Sequence, residues 1–125
     1  RMVALLAEKL NKPASSIKAP VVGEHGDEQI VLWDEVTIDG KPANFSEAEK
    51  QELAEAVKKA GMTIIEGKGK TYYGIATTVC AIATAVLLDR PMKYAVSVPN
   101  ENEEKALSMQ CIIAKDGIIK TFPYK

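Results

Sequence analysis

Histidine is nearly absent from this chain: one, His25, stands among 125 residues. A zinc or similar metal site needs several His, Cys or carboxylate ligands at regular spacing, and that pattern is not found. The two cysteines, Cys80 and Cys111, lie far apart and form no C-x-x-C. This argues against a disulfide framework or zinc ribbon and for a reducing compartment. Net charge is lacking too: a formal value of −1 gives no field to draw in nucleic acid or an anionic membrane. The longest apolar stretch, residues 75–88, is interrupted only by Thr77, Thr78 and Thr84 and falls short of the ~20 residues a membrane span requires. No signal peptide, internal repeat, low-complexity segment or G-x-G-x-x-G is visible.

The composition itself is ordinary. With 46% apolar and 26% charged residues, the chain reads as one globular domain over residues 1–125, long enough to bury a core. The lone histidine sits in Gly23-Glu24-His25-Gly26-Asp27. Its glycines permit a tight turn, and its imidazole is the side chain here that exchanges a proton near neutrality without special tuning. Taken alone, three readings stay open: a proton donor, a ring with both nitrogens satisfied inside the fold, or a metal ligand beside Glu24 and Asp27.

The chain opens on a helical pattern in which Met2, Leu5, Leu6 and Leu10 share a face, stopped by Asn11-Lys12-Pro13. Arg1 at its start reads by itself as a solvated helix end. Residues 17–22 suggest a short strand leading into the His25 turn. Ile30, Leu32, Val36 and Ile38 share one parity, as in a single strand ended by Asp39-Gly40. Ser46 and Glu49 form a capping box for a helix whose stripe is Leu53, Ala56, Val57, Ala60 and Ile64. Gly61 inside it marks a kink or a close packing contact. Gly67-Lys68-Gly69 breaks the chain, and Thr71 is placed to cap the next helix, residues 75–88. That helix is apolar around most of its circumference, as a central buried helix is. A strand at residues 92–98 and a hairpin across Lys115-Asp116-Gly117 complete the pattern. The periodicities give an α+β fold with antiparallel hairpins.

Three segments carry a resemblance. The His25 run with Gln29-Ile30-Val31-Leu32-Trp33 resembles the active-site histidine segment of the L-lactate dehydrogenase and malate dehydrogenase family. Gly67-Lys68-Gly69-Lys70-Thr71-Tyr72-Tyr73-Gly74-Ile75-Ala76 resembles that family's glycine-to-helix junction. Ala106-Leu107-Ser108-Met109 with Asp116-Gly117-Ile118 is similar to its late β-hairpin. The three keep the family's order and approximate spacing across nearly all of the chain.

The resemblance implies the family's C-terminal fold, antiparallel hairpins packed with long helices, and its reaction, reversible hydride transfer between NAD(H) and a small 2-hydroxy or 2-oxo acid. His25 would be the general acid that protonates the ketone oxygen, and the base in reverse. Aligning residues 2–11 on the family's helix makes Arg1 the arginine that holds the substrate carboxylate. Ala60 and Gly61 would line the substrate pocket, leaving room for a side chain larger than methyl. Thr71 would shape that pocket, favouring lactate over malate, and Ile75 would press on the nicotinamide. The dinucleotide fingerprint, the ketone-polarising arginine, the asparagine of the nicotinamide site, the aspartate that orients the histidine and the last helix are not found here. Both ends read as cut. The expectation is therefore the substrate domain of a longer cytoplasmic, homo-oligomeric enzyme that binds NAD mainly through an N-terminal domain, and a chain inactive by itself. A malate dehydrogenase and a non-catalytic, self-associating module are the alternatives.

Overall fold

The computed structural model describes residues 1–24, 28–99 and 106–124. They form two compact units, Arg1–Thr63 and Ile64–Lys125. The architecture is α+β with antiparallel pairing throughout the described hairpins.

In the first unit, helix α1 (Met2–Leu10) buries Met2 and Leu6. It stops where sequence predicts. Asn11 takes a left-handed conformation, φ 49°, so that its N–H reaches Glu8 O at 3.3 Å and the Lys12 N–H reaches Ala7 O at 3.0 Å, satisfying the carbonyls a helix end leaves orphaned. The expected strand over residues 17–22 is split. Strand β1 (Ile17–Lys18) and strand β2 (Val21–Gly23) flank Pro20, whose ring removes the N–H a continuous ladder would use.

A second split corrects the strand expected across residues 30–38. Strand β3 (Gln29–Val31) and strand β4 (Thr37–Ile38) are separated by a 3-10 turn, Trp33–Glu35, closed by Glu35 N–H to Leu32 O at 3.0 Å and Val36 N–H to Trp33 O at 3.1 Å. The turn resets the alternation, so Val31 and Val36, of opposite parity, are both buried while Ile30 is exposed. β2 pairs with β3, Gly23 opposite Gln29, and β1 pairs with β4. β4 returns to strand β5 (Lys41–Pro42) across Asp39-Gly40. Both turn residues have positive φ, 53° and 75°, as a two-residue hairpin of this hand requires.

Helix α2 (Glu47–Lys68) begins at the predicted capping box. The Ser46 N–H donates to Glu49 Oε2 at 2.8 Å, the Ser46 hydroxyl donates to the same oxygen at 2.7 Å, and the Glu49 N–H donates to Ser46 Oγ at 3.4 Å. α2 runs one residue past Gly67 and ends before Gly69, whose φ is 78°. Leu53 and Val57 join Met2, Leu6, Ile17, Val31 and Val36 in one core cluster.

In the second unit, helix α3 (Tyr73–Leu87) packs on strand β7 (Ala106–Ala114). β7 lies between strand β6 (Met92–Pro99) and strand β8 (Gly117–Phe122), with a register shift between Ile112 and Ile113. The β7–β8 hairpin pairs Ala114 with Gly117 across Lys115-Asp116, as read from sequence. α3 is not the buried central helix its composition suggests. Ala85 is its one buried residue, while Ile75, Val79 and Leu87 are 63%, 58% and 80% exposed, because within this unit β7 covers a single face of it. Among the described residues no helix is long and apolar enough to cross a membrane. Cys80 is exposed, Cys111 is buried and neither is in a disulfide.

Two outcomes follow from this packing. Leu6→Ala, at a fully buried position, is expected to cost about 2–5 kcal/mol of unfolding free energy, read as a lower urea midpoint; an unchanged midpoint would contradict the core assignment. The Ser46 N–H, and then its hydroxyl, hold the Glu49 carboxyl below the usual carboxylate range. A lowered folded-state pKa gives stabilisation that is complete above the unfolded value and is lost as pH falls through the folded one. Glu49→Gln should therefore flatten the acid side of the stability–pH curve, and an identical acid slope would count against the capping box.

Candidate active site

Arg1 occupies the N-cap of α1, where its carbonyl accepts the Leu5 N–H at 3.0 Å. Burial of Met2 and Leu6 fixes the roll of α1, and burial of Leu53 and Val57 fixes that of α2. The two helices run antiparallel. At one end the Arg1 guanidinium lies against Gly61; at the other, Lys9 Nζ pairs with Glu52 at 3.2 Å. The spacing agrees with helical rise, about 12 Å from residue 1 to 9 and about 13.5 Å from 52 to 61.

At Gly61 a Cβ would stand 2.7 Å from Arg1 Nη1 and 3.5 Å from both Cζ and Nη2. The space that a Cβ at Gly61 would fill is taken by the guanidinium. Ala60, beside it on α2, is half-buried. Among the described residues the guanidinium has no hydrogen-bond or ion-pair partner, so its five planar donors are directed at no described group. The structure thus brings together Arg1 and Gly61, with Ala60 adjoining.

Thr71 and Ile75 lie in the second unit. Thr71 is half-buried but does not cap α3: Tyr72 holds that position, with no side-chain cap. The start of α3 is built from rings and cations instead. Tyr72 and Tyr73 meet at 4.5 Å between centroids, with Lys70 Nζ 5.9 Å from the Tyr72 ring and Lys68 Nζ 5.4 Å from that of Tyr73. This cluster is missed in the sequence reading, although Lys68-Gly69-Lys70 before Tyr72-Tyr73 is its signal. Ile75 stands in the first turn of α3, its side chain open to solvent.

His25, with Gly26 and Asp27, lies outside the described residues. The segment that carries it joins β2 to β3, and the near end of that hairpin is tightly specified. Gly23 has φ 90°, and a Cβ there would stand 2.8 Å from the Glu28 carbonyl oxygen, so only glycine fits. Trp33 is half-buried and meets Phe45 edge-on at 5.7 Å. These two rings, with Asp34, Asn44 and Lys50, line a cavity of about 200 Å³ that none of the described site residues borders.

Comparison with known proteins places these features in context. Residues 1–124 match the family described as lactate/malate dehydrogenase, alpha/beta C-terminal domain. The chain is 36% identical over 120 residues to the L-lactate dehydrogenase of Halalkalibacterium halodurans, covering 91% of this chain and 39% of that protein. It is 35% identical over 131 residues to L-lactate dehydrogenase 3 of Bacillus cereus, covering 94% and 42%. Among solved structures, the L-lactate dehydrogenase of Clostridium thermocellum superposes with a TM-score of 0.80 at 34% identity over 99% of this chain and 44% of that one. The malate dehydrogenase of Aeropyrum pernix superposes at 0.89 over 98% of this chain and 43% of that one; its 24% identity speaks to the fold alone. The chain thus spans about two-fifths of the length of the curated relatives it matches.

Proposed function

We infer the function of this chain from its family: it belongs to the lactate/malate dehydrogenase family, matching that family's alpha/beta C-terminal domain. We read residues 1–125 as one substrate domain of an NAD-dependent 2-hydroxy acid dehydrogenase, with L-lactate and pyruvate as its substrate pair. The observation that carries this reading is the Arg1 guanidinium, seated on Gly61 with no protein partner among the described residues. A planar fork of unspent donors is suited to a carboxylate, which accepts two parallel N–H···O bonds from it. The named relatives above 30% identity are L-lactate dehydrogenases, which favours lactate over malate.

In this reading Arg1 anchors the carboxylate, and that anchoring fixes which face of the ketone is presented. His25 donates the proton to the ketone oxygen and takes it back in the reverse direction. Ala60 and Gly61 bound the substrate, and Thr71 is assigned to substrate binding by the family resemblance alone. NAD(H), when bound, supplies or accepts the hydride. The exposed Ile75 side chain fits a flat nicotinamide ring and would exclude water from it. The match to a C-terminal domain, over about two-fifths of the relatives' length, leaves the rest of the dinucleotide to an N-terminal domain. The exposed apolar residues of α3 supply the contact between subunits of a cytoplasmic oligomer.

The test is NADH oxidation by the full-length enzyme with pyruvate and with oxaloacetate. Pyruvate should be the preferred substrate, and His25→Ala should lower kcat by about 10²–10⁴-fold, the usual worth of a positioned proton donor. The chain by itself should be silent. Preference for oxaloacetate would assign the malate reaction instead, and full activity in His25→Ala would overturn the reading.

A further inference from the structure

We propose that Gly61 is a positioning residue: by carrying no Cβ it gives the Arg1 guanidinium a seat on α2, and that seat sets the depth at which Arg1 meets the substrate carboxylate. This rests on the function proposed above. The three heavy atoms nearest to a Cβ at Gly61 are Arg1 Nη1, Cζ and Nη2. The closest approach is therefore by the functional group. The backbone gives no other reason for glycine there. Gly23, Gly40, Gly69 and Gly117 have positive φ, whereas Gly61 does not and lies inside a continuous helix. A mid-helix glycine weakens the helix relative to alanine, so what the position gains is space. No hydrogen bond or ion pair from a described residue holds the guanidinium, and the glycine is a surface on which it rests. A Cβ at 2.7 Å from Nη1 lies inside van der Waals contact and must push the fork outward, taking the bound carboxylate with it.

The experiment is a double-mutant cycle in the full-length enzyme with Gly61→Ala, Arg1→Lys and both together. It reads the pyruvate KM and kcat and the dissociation constant of oxamate, a carboxylate isosteric with pyruvate that cannot be reduced. Gly61→Ala should weaken oxamate and raise the KM roughly 3- to 10-fold, as expected for a small displacement of a binding group, with a smaller change in kcat. In the Arg1→Lys background the same substitution should have little further effect, since a lysine presents no planar fork for the Cβ to displace. Because glycine to alanine favours a helix, Tm should hold or rise, which separates the effect from misfolding. If Arg1→Lys weakens oxamate and Gly61→Ala does not, the positioning role is overturned and the proposed function stands. If Arg1→Lys leaves oxamate binding unchanged, both are overturned. Equal effects of Gly61→Ala in the two backgrounds place its action on the helix and not on the arginine, which also overturns the inference.

Discussion

The candidate site depends on one constraint, the shared core cluster into which α1 buries Met2 and Leu6 and α2 buries Leu53 and Val57. A guanidinium on a long side chain has no fixed place until its backbone is fixed. Here the buried stripe fixes the roll of both helices, and the Lys9–Glu52 pair matches their register at the far end. That ion pair is largely exposed, and such pairs contribute little by themselves. The apolar stripe therefore holds the geometry, and the charges mark where it has brought the helices. Loss of the stripe would release Arg1 from Gly61 before any site residue was altered.

The second unit shows the complementary case, an apolar helix without enough partners. α3 has a mean composition that calls for burial, yet β7 covers one face and leaves Ile75, Val79, Leu87 and Leu88 in solvent. Contiguous exposed apolar area is the usual mark of a surface that another element covers. The aromatic and cationic cluster at its N-terminus makes the entry to α3 structurally definite without a side-chain cap.

Local signals were legible where the chemistry is local. Asn11 at the end of α1, the Ser46–Glu49 capping box, Asp39-Gly40 and Lys115-Asp116-Gly117 each act within a few residues, and each appears in the fold as the sequence states it. Parity failed at residues 30–38, because a 3-10 turn shifts the alternation without leaving a proline or glycine to announce it. Burial of α3 was misread for a different reason: hydrophobic periodicity reports what a helix would bury, not whether a partner is present. The approach of Arg1 to Gly61 joins residues sixty positions apart, and no local pattern encodes it. Glycine at 61 was visible as an anomaly inside a helix, but its reason lay in the tertiary contact.

The family assignment and a guanidinium without a hydrogen-bond or ion-pair partner among the described residues are the two supports of the proposed chemistry. What joins them is the claim that Arg1 is the carboxylate anchor. A crystal structure of the full-length enzyme with oxamate tests this most directly. The oxamate carboxylate should lie in bidentate hydrogen-bond contact with Arg1, at about 2.7–2.9 Å from its nitrogens, with the guanidinium still seated on Gly61. A carboxylate bound elsewhere, with the Arg1 fork turned to solvent, would contradict it.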